Sequence, residues 1–441
     1  MKDKLLLIYN AHLVDKNLDI KKGAVLINGK KIEGFPSAET VKKMLSDENV
    51  SKYDAKGNTV LPAFIDMHAH FRDPGLTYKE DIESGSLAAA AGGFSTLVLM
   101  PNTKPVISSL EQVKVNNEKA KKTGRIKVFQ SASITKDFEG KDVSHLEKLN
   151  SKVVPVITED GKEVTNSDVM LEGMKIAAKK NIIVSCHCED PFLASYAKTF
   201  RTKALELLNQ KTPDKKKAKE NLKQADKILA LAEDCASSRN ILLAEQAGCH
   251  LHLCHVSTSN VVEMVRQAKK KGLNVTCEIT PHHIGLTSDG DGVLNIVNPP
   301  LKSEAERKAL IQALKDGTAD VIATDHAPHS DEDKKNGAPG FSGLETAFGV
   351  CYTTLVKENN FSLKELSALM SANPAKLLNL SDEGTLEEGK LANLVVVDLD
   401  NAWKVYGEEF ASRGKFTPLE GKSIYGKVLA TFFEGNIVFQ D

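Results

Sequence analysis

The sequence lacks an excess of either charge: 58 basic residues face 59 acidic ones, for a formal net charge of -1 over 441 residues. A chain so balanced sets up no field that would gather nucleic acid or anionic lipid, and a small polar molecule is the expected partner. Also missing is any apolar run long enough to cross a membrane, and the short stretch Leu5–Tyr9 is far below the apolar core of an export signal. No membrane contact is expected, and the cytoplasm is the expected compartment. C-x-x-C pairs are absent as well. The seven cysteines, an odd number, sit mostly inside apolar strand-like runs such as Ser185-Cys-His-Cys188 and Leu253-Cys-His255, and read as reduced core thiols. Cys186 and Cys188 flank His187, yet on a strand they share a face from which that imidazole points away, which argues against a joint metal site.

What is present is a repeat. The length exceeds one ordinary compact domain, so a large barrel with an appendage, or two domains, is expected. Eight apolar runs of strand length occur: Val60–Ile65, Ser95–Met100, Ile126–Ser131, Val153–Ile157, Ile182–Cys186, Leu251–Cys254, Asn274–Ile279 and Asp320–Ala323. Between them lie segments of helical composition such as Glu80–Ala91, Leu110–Lys122, Ser167–Lys179, Asn260–Lys271 and Glu304–Lys315. This alternation predicts an α/β fold, a (β/α)8 TIM barrel over residues 59–378. Residues 1–58 alternate apolar and polar positions with turn signals at Asn28-Gly-Lys30 and Lys56-Gly-Asn58, and residues 379–441 carry further short β-rich runs. The two terminal segments are expected to meet in one small β-sandwich domain. The Lys-rich stretch Thr202–Lys227 reads as a solvated helical insertion.

Barrel chemistry is placed at the C-terminal ends of the strands, and there the sequence turns polar. The first run leads into Asp66-Met-His-Ala-His70, the second into Pro101-Asn-Thr103, the fourth into Glu159-Asp-Gly161, and the fifth and sixth into His187 and His255. The seventh leads into Thr280-Pro-His-His283 and the eighth into Thr324-Asp-His-Ala-Pro-His329. His68 and His70, two apart, point to the same face and can hold one ion. With His187, His255 and Asp325 at other strand ends, nitrogen and oxygen donors converge in a mixture that suits zinc. Asp160 taken alone reads as a turn residue, but between two sets of imidazoles its carboxylate can bridge a second ion. His12, His145, His250, His252, His282, His283 and His326 receive packing or rim roles.

The string Asp66-Met-His-Ala-His-Phe-Arg-Asp-Pro-Gly75, with Gly92-Gly-Phe-Ser-Thr96 and Met100-Pro-Asn-Thr103, resembles the dihydroorotases of the amidohydrolase superfamily, in their longer bacterial type. The likeness continues through Cys188-Glu-Asp190, His252-Leu-Cys-His-Val-Ser-Thr258, Asn298-Pro-Pro-Leu301, Ala323-Thr-Asp-His-Ala-Pro-His329 and Gly343-Leu-Glu-Thr346. Ser371-Ala-Asn-Pro-Ala375 and Gly389-Lys-Leu-Ala-Asn-Leu394 look like the superfamily's return to the small β-domain. The resemblance implies two zinc ions per subunit, one on His68, His70 and Asp325, the other on His187 and His255, with Asp160 bridging. It also implies that Arg72 reads a substrate carboxylate, that Asn102 and His329 complete that pocket, and that Asn298 meets the ring amide or carbonyl. Two departures stand out. Glu159 replaces the aspartate usual before Asp160, and no lysine precedes Lys162 to serve as the carboxylated bridge of related hydantoinases.

The implied reaction is the reversible cyclisation of N-carbamoyl-L-aspartate to L-dihydroorotate, a step of pyrimidine biosynthesis. In the hydrolytic direction a bridging hydroxide attacks the ring amide carbonyl, and Asp325 carries its proton to the departing nitrogen. Residues 329–343, rich in Gly, Pro, Asp and Lys, are expected to form a loop over the site. An allantoinase or dihydropyrimidinase is the nearest rival, against which Arg72 and Asn102 argue, since a neutral ring gives the guanidinium no anionic partner. A non-catalytic partner of aspartate transcarbamoylase is the rival of another class, and the six filled ligand positions weigh against it. A homodimer and an aspartate transcarbamoylase complex are the protein assemblies left open.

Overall fold

Strand pairing brings the two ends of the chain into one sheet. The computed structural model describes residues 5–288 and 296–441, so residues 1–4 of the first expected segment lie outside the described residues. β1 (Leu5–Val14), β2 (Asp19–Asn28), β3 (Lys31–Gly34), β4 (Val50–Asp54) and β5 (Thr59–Pro62) come from the N-terminal side. β15 (Leu394–Lys404), β16 (Ser423–Phe433) and β17 (Asn436–Gln440) come from the C-terminal side. Their order is β17-β16-β15-β5-β1-β2-β3, with β4 also on β1. β2 and β3 pair with Asn28 opposite Lys31, and Gly29 at φ +58° supplies the left-handed turn that the Asn-Gly signal anticipates.

Between these segments lie two parallel sheets. One joins β6 (Phe64–Ala69), β7 (Phe94–Leu99) and β8 (Lys127–Gln130). The other runs β14-β13-β12-β11-β10-β9, from β9 (Ala132–Ser133) through β10 (Val156–Thr158), β11 (Ile183–Cys186), β12 (Leu251–Leu253) and β13 (Val275–Ile279) to β14 (Val321–Ile322). A parallel bridge from Ala69 to His326 connects the end of β6 with the chain just beyond β14. β6, β7, β11 and β13 are buried at every position, which is why they read as continuous rather than alternating apolar runs.

The helices begin at side-chain caps and several end at left-handed residues. After α1 (Ala38–Leu45) come α2 (Ile82–Ala91), α3 (Leu110–Thr123), α4 (Ser167–Lys180), α5 (Pro191–Leu208), α6 (Lys215–Ala247), α7 (Ser259–Lys270), α8 (Pro281–Gly285) and α9 (Glu304–Lys315). Asp81, Ser109, Asn166, Thr258 and Ser303 accept from backbone N–H groups of the first turns, and Gly124, Asn181 and Gly248 close α3, α4 and α6. Among the described residues no helix is long and apolar enough to cross a membrane.

Three features differ from the sequence expectation. The run Val60–Ile65 is two strands: β5 pairs with β1 and β15, and β6 starts anew after Pro62, which has no N–H to continue a ladder. A helix, α1, with Ser37 as its cap, interrupts the N-terminal strands. The Lys-rich insertion is the end of α5 and the first third of α6, a 33-residue helix whose Ala225, Ile228 and Leu229 pack on Ala197 of α5.

Candidate metal centre

β6 delivers two imidazoles to the mouth because residues two apart share a strand face. His68 and His70 are both buried. His68 Nδ1 lies 2.7 Å from Glu278 Oε1 on β13, so Nδ1 carries a proton toward that carboxylate and Nε2 is the nitrogen turned toward Asp160. Neither that Nε2 nor Asp160 Oδ1, 3.3 Å away, has a hydrogen-bond partner among the described residues. His70 repeats the pattern: Nδ1 is 2.9 Å from Asn102 Oδ1, and Nε2 faces Asp325 Oδ1 at 3.1 Å. On the other side of Asp160, His187 Nδ1 lies 3.7 Å from Oδ1 and 2.8 Å from His255 Nε2.

Two overlapping sets result, His68–His70–Asp325 and His68–Asp160–His255, each with ligand atoms within 4.8 Å of one another. Buried lone pairs facing each other at these distances repel unless a proton or a cation lies between them, so the orphaned atoms fit a metal. Nitrogen and carboxylate donors without thiolate suit a borderline divalent ion. Cys186 and Cys188 take no part in these sets; Cys254 joins His68 and Glu278 in a third, deeper grouping.

Charge is tightly coupled here. Burial opposes a charged His68, yet Glu278 and then Asp160 raise it well above the imidazole range. Burial also opposes an ionised Asp160, but His68 and His70 hold it well below the carboxylate range. Asp325 is likewise held low, against burial, by its contact with the His70 imidazole and then by the charge of His68. Burial and then Arg72 lower His70, while burial, His187 and His68 push His255 down to about 3. Three residues of the mouth, Arg72, His255 and Asp325, have φ of +57°, +34° and +48°, a region that side chains adopt only when their surroundings enforce it.

Glu278 is the residue that sequence reasoning overlooks. Wholly buried, it accepts from His68, from the backbone N–H of His255 at 3.1 Å through Oε1, and pairs with His252 Nε2 at 3.0 Å through Oε2. Its signal is one carboxylate inside the otherwise uncharged buried strand β13. His252, given only a packing role from sequence, thus steadies the carboxylate that orients His68.

The remaining candidates are spread around the same mouth. Arg72 Nε is buried without a partner among the described residues, and Nη2 stands 3.5 Å from His329 Nε2. Burial, then Arg72 and Lys79, push His329 down to about 3, so its ring is neutral. Lys79 Nζ, 3.2 Å away, donates to Nδ1, and Nε2–H donates to the Pro339 carbonyl at 2.9 Å. Asn102 has both halves engaged, Oδ1 with His70 and Nδ2 with Asp160 Oδ2 at 3.0 Å. Asn298 donates to Glu189, whose Oε1 is 3.9 Å from His187 Nε2, and Asn298 Oδ1 has no partner among the described residues. Glu159 turns away from the imidazoles to accept from Thr135, and Lys162 donates to the Phe138 carbonyl.

Residues 59–438 match the Amidohydrolase family. A dihydroorotase of Clostridium botulinum is 42% identical over 436 residues, covering 99% of each chain. Those of Staphylococcus epidermidis and Lactobacillus gasseri are 39% and 38% identical over 99% and 97% of each chain. The chain belongs to the dihydroorotase branch of the amidohydrolase family. Among solved structures, the L-hydantoinase (dihydropyrimidinase) of Arthrobacter aurescens superposes with a TM-score of 0.85 at 24% identity, over 100% of this chain and 96% of that one. The dihydropyrimidinase of Brevibacillus agri gives 0.83 at 22% identity, over 99% and 95%. At such identities these structures share the amidohydrolase fold with this dihydroorotase relative, and nothing about substrate follows from them.

Proposed function

We propose that the chain is a zinc-dependent dihydroorotase of the de novo UMP route, interconverting N-carbamoyl-L-aspartate with L-dihydroorotate and water. The observation that carries the reading is the orphaned, buried Arg72 Nε beside the cluster of orphaned metal-type donors: a guanidinium in that place calls for an anionic ring, which dihydroorotate is and hydantoins and dihydropyrimidines are not. The full-length dihydroorotase relatives support the same substrate.

Two zinc ions would be held by His68, His70 and Asp325 and by His187 and His255, with Asp160 between them. Bound there, zinc supplies an electrophile for the amide carbonyl and lowers the pKa of water. Asp325, ionised, takes the proton of the attacking water and returns it to the ring nitrogen as the C–N bond breaks; cyclisation reverses these transfers. Arg72 anchors the substrate carboxylate, and neutral His329, held by Lys79 and the Pro339 carbonyl, completes the pocket beside it. Asn102 holds His70 and Asp160 in register at the border of that pocket, and Asn298 faces the ring with its carbonyl oxygen, which is without a partner among the described residues. The parallel strands from β6 onward read together as a closed (β/α)8 barrel, supported by the Ala69–His326 bridge, by Asp66 accepting from the Thr324 backbone at 3.0 Å, and by β8 running into β9 across Ser131. Segments 1–58 and 379–441, together with β5 from the start of the expected 59–378 segment, form the small β-domain.

The test is turnover of L-dihydroorotate by the zinc-loaded chain, followed as loss of the ring amide's ultraviolet absorbance, with Asp325→Ala as control and allantoin and dihydrouracil as rivals. Turnover confined to dihydroorotate and abolished in the control is the expected result. Activity on a neutral ring alone overturns the role of Arg72, and inactivity toward all three with zinc bound overturns the catalytic reading.

A further inference from the structure

Outside the metal centre, a cavity of about 390 Å³ opens between the Lys-rich insertion and the segment that precedes α9. Its volume falls within the range of small-molecule sites. Lys219, Lys223 and Lys227 stand on it at intervals of four residues, which stacks them on one face of α6. Arg201 of α5 and Lys302 line it as well. Asp226 and Glu306 are the carboxylates among the lining residues, so cations outnumber them, and Leu222, Val297, Pro300 and Leu301 form an apolar wall.

The buried cations mark this cavity as more than a surface groove. Lys302 is 8% exposed, and its Nζ has no hydrogen-bond partner among the described residues. Arg201 donates through Nη2 to the Val297 carbonyl at 3.1 Å and stands 4.0 Å from Asp226, while its Nε is buried without a partner among the described residues. Leaving an ammonium and a guanidinium N–H unpaired in a desolvated place is costly, and a lysine pointing to open solvent would avoid that cost. Glu233 and Asp226 favour the ammonium of Lys302 from nearby, yet neither hydrogen-bonds its Nζ, and the Glu233 oxygens bond the Ser257 backbone and hydroxyl instead. The combination of unpaired buried donors, a cationic helix face and an apolar wall is the chemistry of an acceptor-rich group carried on an apolar body.

We propose that this cavity is a second binding site, separate from the metal centre, for a small anion in which a phosphate or carboxylate is attached to a flat apolar ring. The anionic oxygens accept from Lys302 and Arg201, the lysine face of α6 screens the remaining charge, and the ring rests on Leu222, Val297 and Leu301. The insertion then has a binding role in place of a merely solvated one.

The experiment titrates the full zinc-loaded chain with phenyl phosphate and with benzoate by calorimetry, with inorganic phosphate alone as the ringless control. Arg72→Met identifies any binding in the catalytic mouth. Expected is saturable binding of a ring-bearing anion that survives Arg72→Met and weakens about tenfold or more in Lys302→Met. The paired exposed variant Lys219→Ala/Lys223→Ala, which leaves the packing of α6 alone, weakens it by a smaller factor that shrinks as salt is raised. Preference between phosphate and carboxylate names the head group, and a match between phenyl phosphate and inorganic phosphate removes the ring from the proposal. Binding that disappears in Arg72→Met and is untouched by the Lys302 and lysine-face variants overturns the site, as does the absence of binding by both ring-bearing probes.

Discussion

Glu278 Oε1 stands 2.7 Å from His68 Nδ1, and the same carboxylate accepts from the backbone of His255 and pairs with His252. One buried side chain therefore fixes the tautomer of one metal-type histidine and the backbone of another. Glu278→Gln keeps the shape but replaces one acceptor oxygen by a donor and removes the charge. A roughly 10- to 100-fold loss of zinc affinity is expected, as for other partners of metal-bound histidines. Competition with a chromogenic chelator measures it, and an unchanged affinity would show that Glu278 does no more than fill the core.

The two carboxylates on either side of His68 respond to pH with opposite sign. Against burial, His68 and His252 hold Glu278 below the usual range, so in the metal-free protein its contribution is present above about pH 4.3 and is lost as pH falls through the folded value. Asp66 is raised to about 7 by burial, with Thr324 opposing, so the folded state binds the extra proton and stability falls as pH rises from about 4 to about 7. Melting of the metal-free protein beside Glu278→Gln and Asp66→Asn checks both. The difference from Glu278→Gln should shrink toward acid, and the difference from Asp66→Asn should move against the parent protein toward neutrality. Parallel pH profiles for all three proteins contradict the assignment.

Much of the mouth is legible in sequence because its logic is local. The two-residue step from His68 to His70 follows from strand periodicity, and the polar residues that end seven of the eight apolar runs stand in the sequence itself. Glu278 is not legible in that way: its partners His68 and His252 lie on other strands, 210 and 26 residues away, and only the lateral order of the sheet brings them together. The place of Asn102 at the end of the second run is legible, but the contacts by which its side chain spans His70 and Asp160 are not. The division of Val60–Ile65 into β5 and β6 escaped an apolar count because both halves are buried, one against β15 and the other against β7.

Arg72 and the substrate carboxylate make a prediction about selectivity. Arg72→Met keeps an unbranched apolar stem but removes the charge-assisted bonds, so kcat/KM for dihydroorotate should fall by about 10- to 100-fold, mostly through KM. Zinc content should stay at the parent level, since Arg72 donates to no ligand atom at hydrogen-bond distance in this structure. Steady-state kinetics with metal analysis separates the two effects. An unchanged KM would mean that the carboxylate is read elsewhere.

The loop that aims Arg72 depends on Gly75. Its φ of +87° is one that L side chains rarely adopt, and a Cβ there would come within 1.8 Å of the Lys104 carbonyl oxygen. That approach is held by the Lys104 N–H donating to Pro74 O at 3.0 Å and by Asn116 donating to Asp73 O at 2.8 Å, so the backbone next to Arg72 is clamped onto two other segments. Gly75→Ala must push Lys104 away and break the clamp, at a cost of about 2–4 kcal/mol. Denaturant unfolding should show that loss. Because the displaced residues carry Arg72 and not His68 or Asp160, KM for dihydroorotate should rise while zinc affinity holds. A variant as stable as the parent would mean that the loop relaxes freely, and that Arg72 owes its position to the mouth rather than to the clamp.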